Sequence, residues 1–117
     1  SEGAINLVGA EIGKNVLAKK LKTKGFLSLA KTEIGGSIIL DKARIQNTKA
    51  QFDGMTISGD LILENAKTMG NVVIEDAEIE GLLDLDGISV GQDLILAGTK
   101  YKKMEEGTME VIGKKVS

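Results

Sequence analysis

The sequence predicts an all-β fold, a parallel β-helix or solenoid with about 22 residues per coil and four to five coils. Three observations predict it. An eleven-residue unit recurs nine times from Ile5 to Met104 with one extra residue near Lys49. Its apolar positions alternate with the period of a strand, not of a helix. Its core residues are Leu, Ile, Val and Ala, with only three aromatics (Phe26, Phe52, Tyr101), fifteen glycines and no Pro, Cys, His or Trp.

With the unit written a to k, apolar residues fall at a, c, f and h. Position c reads Leu7, Ala18, Leu29, Leu40, Phe52, Leu63, Ile74, Leu85, Leu96, and h reads Ile12, Thr23, Ile34, Ile45, Ile57, Thr68, Ile79, Val90, Tyr101. Position f carries mostly small residues such as Ala10, Ala43, Ala66 and Ala77, and j favours Gly at Gly36, Gly59, Gly70 and Gly81. An eleven-residue period also suits a helical supercoil. At about 100° per residue, however, a, c, f and h scatter around the helix and form no stripe. At about 180° per residue, a and c share one face, f and h share another, and a corner separates the pairs. Each unit is therefore two very short strands with a bend after each.

The bends call for residues tolerant of unusual φ, supplied by Gly87 and Gly98 at e, Asn47 at j and the j glycines. Strands this short do not hold as hairpins, so they stack on equivalents in neighbouring coils about 4.8 Å away. One unit of two faces encloses no core, whereas two units, four faces, do. Phe52 and Tyr101 both fall at inward positions. Unit 2 is the weak link, because Ala18 and Thr23 replace large residues among Lys19, Lys20, Lys22 and Lys24. The extra residue near Lys49 predicts a small bulge at a corner. Residues 1–104 form the repeat domain, and 105–117, after the pattern breaks, form a C-terminal strand or cap.

Zero cysteine excludes disulfides and thiol chemistry, and zero histidine removes the usual zinc and proton-shuttle constellations. No phosphate loop, EF-hand pattern or nucleophile elbow is present, so the reading assigns no catalytic residue, metal or cofactor, and no small-molecule substrate is evident. No window approaches the apolar length of a membrane helix, and the start lacks the plan of a secretory signal. The expectation is a soluble chain, the cytoplasm slightly favoured, whether it is whole or excised from a longer one.

Charge is segregated along the chain. Residues 1–52 carry nine basic against four acidic side chains, 53–99 one against ten, and 100–117 five against three. Stacking places Asp41, Glu64 and Asp86 in one column at d and Lys22, Arg44 and Lys67 in one at g, and neighbouring like charges cost stability. An acidic column suits a cation or a basic partner. The candidate interaction surface is Asp41, Glu64, Glu75, Asp76, Asp84, Asp86 and Asp93. The plainer alternative for each is a solvated face. Asp84 and Asp86, two apart on one strand, also have the spacing of a carboxylate pair for acid-base work, but a convex solenoid face offers no cleft. The run Lys19, Lys20, Lys22, Lys24 lacks interleaved aromatics other than Phe26, and with a pI near 5.2 nucleic acid is not the expected partner.

Ala-x-Ile-x-Gly from Ala77 to Gly81, with Ala43-Arg44-Ile45 and Ala66-Lys67-Thr68, resembles the pentapeptide-repeat proteins. The pattern covers about 100 of the 117 residues. It departs from that family at Leu61, Val72, Leu83 and Leu94, large where the family has a small residue. The resemblance implies a right-handed, quadrilateral-type β-helix, with the departures implying a wider or flattened section. In composition the chain also resembles the bactofilin-like filament proteins.

The expected function is a non-enzymatic structural or interaction module, with a protein partner or self-association. The family resemblance supplies an alternative, a charge-mimicking regulator of a DNA-binding enzyme such as a topoisomerase, acting through the acidic segment 53–99. A third reading is carbohydrate processing at Asp84 and Asp86.

Overall fold

The computed structural model describes residues 3–46 and 49–117. Among them there is no helix, and every strand pairing is parallel. The backbone winds as a right-handed β-solenoid of about 22 residues per turn and about 5 turns. The expected architecture is therefore observed.

Each turn crosses four faces. The first holds Ile5–Asn6, Leu27–Ser28, Lys49–Gln51, Asn71–Val73, Leu94–Ile95 and Lys115–Val116 in that spatial order. The second holds Glu11–Ile12, Glu33–Ile34, Thr56–Ile57 and the starts of Glu78–Asp84 and Lys100–Glu105. The third holds Val16–Leu17, Ile38–Ile39, Leu61–Ile62 and the ends of those two longer strands, which turn the corner without a break. The fourth holds Lys22–Thr23, Arg44–Ile45, Lys67–Thr68, Ser89–Val90 and Glu110–Val111. Beyond Met104, strands Glu110–Val111 and Lys115–Val116 continue the ladders in register on Ser89–Val90 and Leu94–Ile95.

The core is the stack of inward columns. Leu29, Leu40, Phe52, Leu63, Ile74 and Leu85 at c are none of them more than 2% exposed. Each large apolar side chain so buried contributes on the order of 1.5–3 kcal/mol. Thr23 is fully buried among these columns, and its hydroxyl donates to the Gly3 carbonyl at 2.9 Å. Apart from Thr23, the first coil is loosely covered in both of its units. Ile5, Ile12, Val16, Ala18 and Leu21 are half-buried, because among the described residues a coil packs on only one side of them. Tyr101 corrects its inward expectation for the same reason: it is in register with Ile79, yet it lies on an edge strand and is 41% exposed.

Two devices make the corners. At e, every unit has a residue in the left-handed region: Gly9, Lys20, Lys31, Lys42, Gly54, Asn65, Asp76, Gly87 and Gly98 have φ between 54° and 75°. Three lysines thus adopt a conformation that costs a residue with a Cβ roughly 1–2 kcal/mol. The j glycines Gly36, Gly59 and Gly70 lie at bends as expected, but the unusual φ expected of j is absent at Gly36, Gly59 and Gly81. A Cβ at these last three would lie 2.1, 2.3 and 2.1 Å from Asn15 Oδ1, Ser37 Oγ and Asp60 Oδ1 of the preceding coil. Those oxygens accept the backbone N–H of Ser37, Asp60 and Leu82 at 2.8, 2.9 and 2.8 Å. Glycine at j leaves room for this polar ladder between coils. Asn47, the other expected bend residue, lies outside the described residues.

Lys49 is not itself bulged. It pairs with Asn71, and the extra residue is taken up between Ile45 and Ala50, which are five residues apart where Thr68 and Val72 are four. A second irregularity removes one residue. Ile79 pairs with Tyr101 and Leu83 with Met104, so the step from Tyr101 to Met104 is one residue shorter than the step it stacks on.

Candidate functional site

Because side chains at d, e, g and i point outward and equivalent positions stack coil on coil, the surface consists of columns. On the corner between the third and fourth faces the backbone bonds Lys42 N–H to Glu64 O (2.8 Å) and Asn65 N–H to Asp86 O (2.9 Å) set Asp41, Glu64 and Asp86 one above another. Asp84 joins them from the third face. It is only 5% exposed, and its Oδ1 accepts the Asp86 N–H at 3.0 Å. Burial of Asp84 corrects the expectation of an exposed outward carboxylate. The hydrogen bond between Glu64 and Asp84 raises the Glu64 pKa above its usual 4.5, and the negative charges of Asp84, Asp86 and Asp41 push the same way.

The remaining candidate acids lie elsewhere. Glu75 stacks on Asp53 at the corner between the first and second faces, fixed by the Gly54 N–H to Glu75 O bond of 2.8 Å, with Asp76 beside it in the left-handed turn. Asp41 Oδ1 and Asp53 Oδ1 are buried without a hydrogen-bond donor among the described residues. Asp93 belongs to a polar ladder at the corner of the fourth and first faces. Its N–H donates to Asn71 Oδ1 at 2.9 Å and its Oδ1 accepts the Lys114 N–H at 2.8 Å. The structure thus brings together Asp41, Glu64, Asp84 and Asp86, and separates Glu75, Asp76 and Asp93 from them. Among the described residues no three His, Cys, Asp or Glu side chains are grouped so as to hold a metal ion.

The fourth face is basic. Lys22, Arg44 and Lys67 are successive rungs at g. Lys20 and Lys42, held in the left-handed corner, join Lys22, Arg44 and Asn65 around an open depression of about 600 Å³. Next along the face, Met69 is 62% exposed beside Arg44 and Lys67. At the corner leading to the first face, the Lys49 ammonium lies 5.4 Å from the centre of the half-buried Phe26 ring.

The sequence reading missed the second face. Its g row is Glu11, Glu33, Thr56, Glu78 and Lys100, with Glu80 two residues further on. The signal was present: g residues of odd units are mostly acidic and those of even units mostly basic. Only the four-face winding separates odd from even.

Compared with protein-family models, with curated proteins and with solved structures, the chain matches none. No described helix is long and apolar enough to cross a membrane.

Proposed function

We propose that the chain is a non-enzymatic structural and interaction module whose flat outer faces bind another macromolecule or copies of the chain. The observation that carries the reading is the sorting of charge into in-register columns. Acidic rungs crowd until Glu64 holds its proton more tightly, while a basic column occupies the adjoining face. Like charges at ladder spacing oppose folding, and a complementary partner offsets that cost. Size exclusion of the tagged chain in extract of cells that carry it, beside the purified chain, tests the reading. A larger species than the 12.4 kDa monomer is expected in at least one of the two. A free monomer in both refutes it.

A second reading is favoured by the corner columns of segment 53–99, in which Glu64 and Asp86 stand at one corner and Asp53, Glu75 and Asp76 at another. Two parallel rows of carboxylates support a mimic of nucleic-acid charge, and the pentapeptide-repeat resemblance suggests a topoisomerase as its target. Inhibition of gyrase supercoiling by micromolar protein is the expected result, and no effect at that concentration removes the reading.

A further inference from the structure

We infer that the module's partner includes a second copy of itself, docked sideways with its second face on the fourth face of its neighbour. The inference rests on the interaction-module reading and names the partner. In a four-sided coil the second and fourth faces lie on opposite sides of one shared core, to which Ile34, Ile57 and Ile79 contribute from one side and Ile45 and Val90 from the other. A simple translation across the axis therefore sets the two faces against each other.

Coil by coil, their charges are complementary. In the first coil Glu11 faces Lys22 and Lys24, and in the second Glu33 faces Arg44. In the third, Thr56 and Ser58 face Lys67 and Met69, and in the fourth, Glu78 and Glu80 face Ser89 and Gly91. In the fifth coil both faces change sign together: Lys100 faces Glu110. No level opposes like charges. Sliding one copy by a single coil in one direction brings Glu78 and Glu80 against Glu110, so the sign change disfavours that slide. All of Glu11, Glu33, Glu78, Lys100, Arg44, Lys67 and Glu110 are exposed.

The interface joins two different patches, and translation does not close on itself, so the product is an open row of molecules and not a closed dimer. Backbone hydrogen bonding is not involved, because the strands of both faces already pair along their own ladders. The attraction is electrostatic between exposed groups, and it weakens as salt shortens the screening length from about 10 Å at 0.1 M to about 3 Å at 1 M.

Sedimentation velocity of the purified chain tests this. At low salt the weight-average sedimentation coefficient is expected to rise with concentration, and to return to the monomer value at about 1 M salt. The variant Arg44→Glu/Lys67→Glu reverses the middle rungs of the fourth face and Glu33→Lys/Glu78→Lys those of the second, so each alone sets like charges together in the second coil and is expected to associate more weakly than the parent. Mixed in equal amounts, they restore opposite charges at every junction and the association returns, which also shows that both variants are folded. A wild-type chain that is monomeric at low salt overturns the inference while leaving the module reading to a different partner. Association as strong as the parent's in either variant alone, or no recovery on mixing, overturns it in favour of another surface.

Discussion

Replacing lysines at e by glycine should stabilise the protein. Lys31 and Lys42 have φ of 57° and 60°, and their amides bond the Asp53 and Glu64 carbonyls at 2.8 Å, so neither can leave the left-handed region without breaking the ladder. Each conformation costs roughly 1–2 kcal/mol in a residue with a Cβ, and glycine gives back about 0.4–1 kcal/mol of that through its freer unfolded chain. The net gain is about 0.5–1 kcal/mol per site, or about 1–2 kcal/mol for Lys31→Gly/Lys42→Gly. An unfolding entropy of about 2.1 cal/mol/K per residue gives about 0.25 kcal/mol/K for a chain this long, so the melting temperature should rise by about 4–8 °C. Calorimetry and urea unfolding measure it. The control is Lys31→Gln/Lys42→Gln, which removes the same two charges but keeps the Cβ. A double glycine variant that melts at or below the parent, or a glutamine variant that rises as far, refutes the backbone argument.

At the same position Gly98→Ala should cost about 1–2 kcal/mol, since φ is 73° and the new Cβ would sit 2.1 Å from Asp76 Oδ1; urea unfolding reads it. Gly81→Ala should cost about 1–3 kcal/mol by displacing Asp60 Oδ1 from the Leu82 N–H. Adding Asp60→Ala removes the side-chain part of the obstruction and leaves the Gly59 carbonyl oxygen at 2.8 Å, so a double-mutant cycle should give a coupling of about 0.5–3 kcal/mol, and strict additivity would count against the ladder. Phe52→Ala, at a side chain with 0% exposure, should lose about 3–5 kcal/mol by denaturant titration. Glu64→Gln should raise the melting temperature at neutral pH. Because the Glu64 pKa is raised on folding, its stabilising protonated form is complete below 4.5 and is lost as pH rises through the raised value. The gap between variant and parent should therefore close as pH falls toward 4.5, and a gap independent of pH would show that the Glu64 proton is not its cause.

Period, four-face winding and the column Asp41, Glu64, Asp86 were legible in the sequence, because a position's environment recurs in every unit and two units make one turn. What recurs only through space was not. Lysine carries no local preference for the left-handed region, so Lys20, Lys31 and Lys42 gave no sign of their corner role, which the inter-coil ladder imposes. Gly36, Gly59 and Gly81 were visible as glycines but were assigned to backbone freedom, when the neighbour they make room for lies in the preceding coil. Asp84 read as a surface acid from its alternation, and only the Asp86 amide and the turn of the long strand Glu78–Asp84 explain its burial. The acidic second face was obscured by summing charge along segments, since consecutive units point in different directions.

The residue gained between Ile45 and Ala50 and the one lost between Tyr101 and Met104 fall at corners, and the ladders on either side keep their partners. A chain built this way separates its reading frame from its packing. Length can change at a vertex by one residue without rotating any downstream side chain out of the core, whereas the same change along the flat run of a face would reverse every inward and outward position after it. Vertices are thus the places where loops, tags or new binding segments can be grafted, and homologous solenoids should differ there first.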